Sequence, residues 1–134
     1  MNTRLLMRAS SICMGVLAVP AIFAPQEVMA YVSGQSGAVG TLATQVFGAV
    51  YFGFALLNWM AQANLIGGIY SRPVAIGNFV HFLVAALALV KAVLAGQHSM
   101  PALAGAAAYT AFAVLFALVL FRNPLRTSAH KNGA

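Results

Sequence analysis

Three side chains able to do chemistry interrupt the long apolar stretches of this chain: Asn58, Asn78 and His81. Asn78 and His81 are three residues apart and so share one helical face. If the chain folds back near Ile66, Asn58 comes to the depth of Asn78, and the three form one polar cluster. A polar group in an apolar medium is costly without a partner, so the cluster either bonds helix to helix or holds a ligand or a proton. In the ligand case, Asn58→Leu and His81→Leu would lower activity more than stability. The same fold-back sets Gln45 level with Lys91 on the other side of the apolar layer, where Glu27 also approaches. Glu27 and Lys91 suit anchoring at an interface, the lysine stem reaching towards water. The alternative is a salt bridge between the first and third apolar segments.

Much other chemistry is excluded by residue type. Glu27 is the sole carboxylate side chain, so no carboxylate pair exists for hydrolysis. There is no Gly-rich phosphate loop, no His/Cys/carboxylate set at metal spacing and no Ser/His/Asp constellation. Cys13 stands alone inside an apolar stretch, which excludes an intrachain disulfide and a cysteine-based zinc site and suits packing. A haem would want paired axial ligands, and His81 is the only histidine within an apolar segment, His98 and His130 lying outside. A proton-coupled carrier would more usually bury an acid within a helix. The expectation is a protein that is not an enzyme and holds neither metal nor cofactor.

Four apolar segments must position these residues: about 5–24, 41–61, 73–92 and 102–121. Each approaches the roughly 20 residues that carry a helix across about 30 Å of hydrocarbon. The chain is 62% hydrophobic and 6% charged, against about 25% charge in soluble domains. The cations sit singly at segment ends and form no stripe with interleaved aromatics, which argues against nucleic acid despite a net charge of +6. The fold class expected is therefore an all-α integral membrane protein, a four-transmembrane-helix antiparallel bundle forming one domain over 1–134. Arg4, Arg8, Arg72, Arg122, Arg126 and Lys131 fall on one face and Lys91 alone on the other. The positive-inside rule then places both termini, including a polar tail over 122–134, in the cytoplasm.

Residues near the ends support these limits. Pro73 and Pro101 stand where first-turn prolines are tolerated, and Asn123-Pro124 stops the last segment. Pro20 lies inside the first, where a kink is expected. Residues 31–40 read as a Gly/Ser-rich outer connection. A basic start, an apolar run and Val28-Met29-Ala30 also fit a cleaved signal peptide over residues 1–30, but the length of the run and Pro25-Gln26-Glu27 favour a retained helix. Small residues Gly48, Gly53, Ala104, Gly105, Ala108 and Ala111 offer close helix approaches. Tyr31, Trp59 and Tyr70 fall at expected interfaces, whereas Tyr51 and Tyr109 lie deeper, where each hydroxyl needs a partner.

The basic start, the helix ending Phe23-Ala24-Pro25, the outer Gly-rich link, Gly48…Gly53…Leu56-Leu57-Asn58-Trp59, and Ser71-Arg72 leading into Gly77-Asn78-Phe79-Val80-His81 together resemble small bacterial four-helix membrane proteins of the DoxX-like or domain-of-unknown-function type. That resemblance implies a compact four-helix bundle, and for some members a link to quinone-dependent sulfur chemistry or oxidative-stress complexes. No residue set in this chain carries a redox role by itself. The functional expectation is a small multi-pass protein of the bacterial inner (cytoplasmic) membrane that binds a membrane-protein partner, a further copy of itself or a small hydrophobic ligand within the lipid bilayer. A membrane subunit of a quinone-linked redox complex and a small oligomeric transporter are the alternatives.

Overall fold

A computed structural model describes residues 3–35, 37–63 and 72–122. It is all-helical, in the order α1 (Thr3–Phe23), α2 (Pro25–Ser33), α3 (Ala38–Ala61), α4 (Arg72–Leu94) and α5 (Met100–Arg122). Four of these, α1, α3, α4 and α5, are long and apolar enough to cross a membrane. Their limits lie within a few residues of those read from the sequence. The connection over 64–71, with Tyr70 and Ser71, and the tail from 123, with Arg126 and Lys131, lie outside the described residues.

The fifth helix corrects the expected outer loop. Residues 31–33 belong to α2, and only 34–37 link it to α3. Pro25 occupies the first turn of α2, where its missing N–H is no loss. It also pushes Ala24 out of helical geometry, to φ −135° and ψ 51°, which ends α1. Gly34 closes α2 in the left-handed region at φ 71°, its N–H donating to the Ala30 carbonyl, a conformation glycine adopts without a Cβ penalty. At nine residues α2 is too short to span a bilayer. α1 runs through Pro20 as a single helix. α5 starts where the Ser99 hydroxyl accepts from the Ala102 N–H at 3.4 Å, one turn of the capping that Pro101 permits.

Backbones pack most closely between α1 and α3 and between α4 and α5, with α2 against α3 and α1. The two closely packed pairs run antiparallel: Ser11 meets Ala55 while Gly48 meets Ala21 and Ile22, and Phe82 meets Phe112 and Phe116 while Leu89 meets Gly105. Gly48 is the crossing point of α1 and α3, because a Cβ there would stand 2.9 Å from the Ala21 Cβ. Gly53 has open space around it, and Ala104 and Ala111 are exposed, so those small residues make no close contact within this one chain; Ala106 and Ala113 are the buried alanines of α5.

The distribution of polarity is inverted relative to a water-soluble protein. Asn58, Asn78, Ser10 and Ser11 lie inside with Met7, Met14, Phe82 and Phe116, while Val46, Phe47, Leu56, Leu57, Val84 and Leu87 are exposed. Soluble monomers rarely expose contiguous apolar patches beyond a few hundred Å². Four helices with apolar outer faces satisfy their backbone groups internally and are suited to hydrocarbon.

Candidate functional site

Asn58 on α3 and Asn78 on α4 face each other with no solvent exposure and bond reciprocally. Each amide nitrogen donates to the other's oxygen at 2.7 Å. The second hydrogen of Asn58 goes to the Ser10 hydroxyl at 3.1 Å, and that of Asn78 to the Val74 carbonyl at 2.9 Å. Ser10 passes its own hydrogen to the Met7 carbonyl at 3.0 Å. Every donor hydrogen of this network therefore has an acceptor within the bundle. Such a closed set joins α1, α3 and α4 and leaves no donor for a ligand. Beside it, Ser11 donates to the Ala55 carbonyl at 2.6 Å, and Arg8 donates to the Gln62 side chain. Ser10 and Ser11 join the site only in the tertiary structure. The signal for them is a pair of small hydroxyls inside an apolar span, the type that bonds across membrane helices.

His81 is not part of that network. Its ring stacks on Phe54 at 5.1 Å and meets Tyr51 and Phe82 edge-on at 5.3 and 5.2 Å, with Tyr109 at 6.0 Å. Its Nε2 is buried without a hydrogen-bond partner among the described residues. The helical face shared with Asn78 holds, but one turn further along α4 the neighbour on α3 is aromatic rather than polar. Phe82 is the hub of the same layer, stacked with Phe112 at 4.8 Å and with Phe116 at 5.6 Å.

The outer candidates stay apart. Gln45 donates to the Ile22 carbonyl at 3.4 Å, joining α3 to α1. Glu27 on α2 and Lys91 near the end of α4 are both exposed, and no ion pair joins them among the described residues. Among the described residues no group of three His, Cys, Asp or Glu side chains gathers as a metal site.

Above the asparagine clasp, the α1–α3 and α4–α5 pairs leave a cleft between them. It holds about 810 Å³ and is walled by Leu17, Ala85, Ala88, Leu89, Ala92 and Gly105. Tyr31 and Val32 of α2 and Gln97, Ser99 and Met100 at the α4–α5 connection frame its open end. Tyr51 and Tyr109 line the deep end, where the Tyr109 hydroxyl donates to that of Tyr51 at 2.8 Å. At a rise of 1.5 Å per residue, Tyr109 lies about 13 Å along α5 from Met100, close to the middle of that helix. The volume is within the roughly 300–1,000 Å³ usual for small-molecule sites, and the pattern of apolar walls with few polar groups is the usual one. Both tyrosines and their need for partners are legible in the sequence; the cleft is not. Comparison of the chain with protein-family models, with curated proteins and with solved structures gives no match.

Proposed function

We propose that this is a multi-pass protein of the bacterial inner membrane whose bundle takes up a small hydrophobic ligand in the cleft between its two helix pairs, without catalysis of its own. The observation that carries this reading is the cleft itself. It is apolar along its walls and polar only at its base and rim, the arrangement that admits an oily molecule and fixes one end of it. The closed asparagine network supports a division of labour, with the clasp holding the pairs together and the cleft left for binding. A four-helix bundle is also what the DoxX-like resemblance implies.

The orientation proposed has both termini in the cytoplasm and the mouth of the cleft facing outwards. Its support is the charge count, with Lys91 the one cation on the outer side. A fluorescent protein fused to the C-terminus is expected to light up, and an alkaline phosphatase fused there to stay inactive; the opposite pair of results reverses the orientation.

The binding reading is tested with the purified chain in nanodiscs and a diazirine-bearing decanol as photolabel. Label is expected to concentrate on Ala85, Ala88, Leu89 and Gly105. The variant Ala88→Phe, which fills the cleft from an exposed position of α4, is expected to reduce it about tenfold without loss of helicity. Label spread evenly over outward residues such as Val46 and Leu87, and indifferent to Ala88→Phe, would remove this reading.

A further inference from the structure

The base of the cleft has an incomplete hydrogen-bond set. Tyr51 and Tyr109 together hold two hydroxyl hydrogens, and one of them lies in the 2.8 Å bond between the rings. Whichever ring donates, the other O–H hydrogen has no acceptor among the described residues. The cleft wall of Leu17, Ala85, Ala88 and Leu89 offers no side-chain acceptor, and the His81 ring that packs against both tyrosines makes no hydrogen bond to either through its buried Nε2. An O–H left undonated in apolar surroundings forfeits a bond it would make in water, so the site favours an occupant that restores it. From this we infer that the cleft selects slender apolar molecules ending in a carbonyl oxygen, a ketone, aldehyde or ester that accepts a hydrogen bond, bound head-first against the tyrosine pair. This inference rests on the cleft being a binding site, as proposed above.

Depth narrows the source of the carbonyl. The pair lies about 13 Å along α5 from its outer end, near the middle of a hydrocarbon layer about 30 Å thick. The ester carbonyls of membrane phospholipids stay in the interfacial regions that flank that layer. The occupant is therefore a free molecule that enters by its polar end. Its apolar part is left among the alanines and leucines of the wall, below the rim of Tyr31, Gln97 and Ser99.

The test uses diether-phospholipid nanodiscs, which have no ester carbonyl to compete, and two diazirine photolabels of equal length. One is a decyl methyl ketone and the other the matching hydrocarbon. In the wild-type protein the ketone is expected to label cleft residues about 3- to 10-fold more than the hydrocarbon. Tyr51→Phe and Tyr109→Phe singly each leave one free hydroxyl and are expected to keep most of that preference. The double variant leaves none, and the ketone should fall to the hydrocarbon's level, while hydrocarbon label still found on Ala85, Ala88 and Leu89 reports that the cleft forms. Equal labelling by both probes in the wild type, with both inside the cleft, overturns the carbonyl preference and leaves ligand binding standing. A preference that survives the double variant overturns the assignment to the tyrosines. If neither probe enters the cleft, the binding reading fails and this inference with it.

Discussion

Asn58→Leu is expected to destabilise the bundle by about 2 kcal/mol, the larger end of what one polar contact contributes inside a membrane. The substitution removes a side chain with no exposure and strands three groups at once: the Asn78 oxygen, one Asn78 hydrogen and the Ser10 hydroxyl oxygen. A buried group left unsatisfied costs about 1–3 kcal/mol. Against that, polar contacts between membrane helices average only about 0.6 and reach about 1.7 kcal/mol in double-mutant cycles, because the separated helices find other partners. The reciprocal geometry and the shared serine place this pair at the upper limit. Asn78→Leu should cost a similar amount, and the double variant less than the sum, since the second substitution removes the groups stranded by the first. Unfolding titrations in mixed micelles would measure all three. Single variants within about 0.5 kcal/mol of wild type, or strict additivity, would mean that the pair does not clasp α3 to α4.

The second large effect is expected at Gly48. A Cβ at this position stands 2.9 Å from the Ala21 Cβ and the Ile22 Cγ1, and 3.0 Å from the Ile22 backbone nitrogen. A side-chain end can swing aside, but the α1 backbone cannot without moving the helix. Gly48→Val is therefore expected to cost about 1–3 kcal/mol by overpacking, and to loosen α1 from α3 before the rest of the bundle. Gly53 supplies the control on the same helix. Nothing stands within 4 Å of its Cβ position, so Gly53→Ala should be neutral or gain up to about 1 kcal/mol from helix propensity. In melting curves in detergent, Gly48→Val should fall below wild type while Gly53→Ala stays level with it or rises; equal destabilisation would show that the close crossing at Gly48 is not what holds α1.

The contrast between these two glycines illustrates what could be read in advance. Both stand in the same apolar segment, and both read as small-residue contacts, yet only one meets a neighbour. The relative rotation of two packed helices decides which, and that rotation is fixed by the summed shape of many side chains rather than by any local motif. His81 follows the same rule. Its spacing from Asn78 put it on the correct face, but the approach of Tyr51 and Phe54 from α3 gave it an aromatic pocket in place of an amide partner. The sequence Pro25–Ser33 mixes polar and apolar residues without a span's length, and only its two ends, the first-turn proline and Gly34, mark it as helix.

The amino-acid sequence alone determined the four long apolar helices, because uninterrupted apolar runs of about 20 residues have the length and composition with which a helix can cross a hydrocarbon layer. It also put Asn58 and Asn78 at one depth, since a short return fixes the register of two antiparallel helices. Only the tertiary structure decided that these amides close on each other with Ser10, that His81 is left outside them, and that two helix pairs leave a cleft ending at Tyr51 and Tyr109. Those outcomes depend on which faces meet, and contact between faces is a property of packing in three dimensions that periodicity along one chain does not encode.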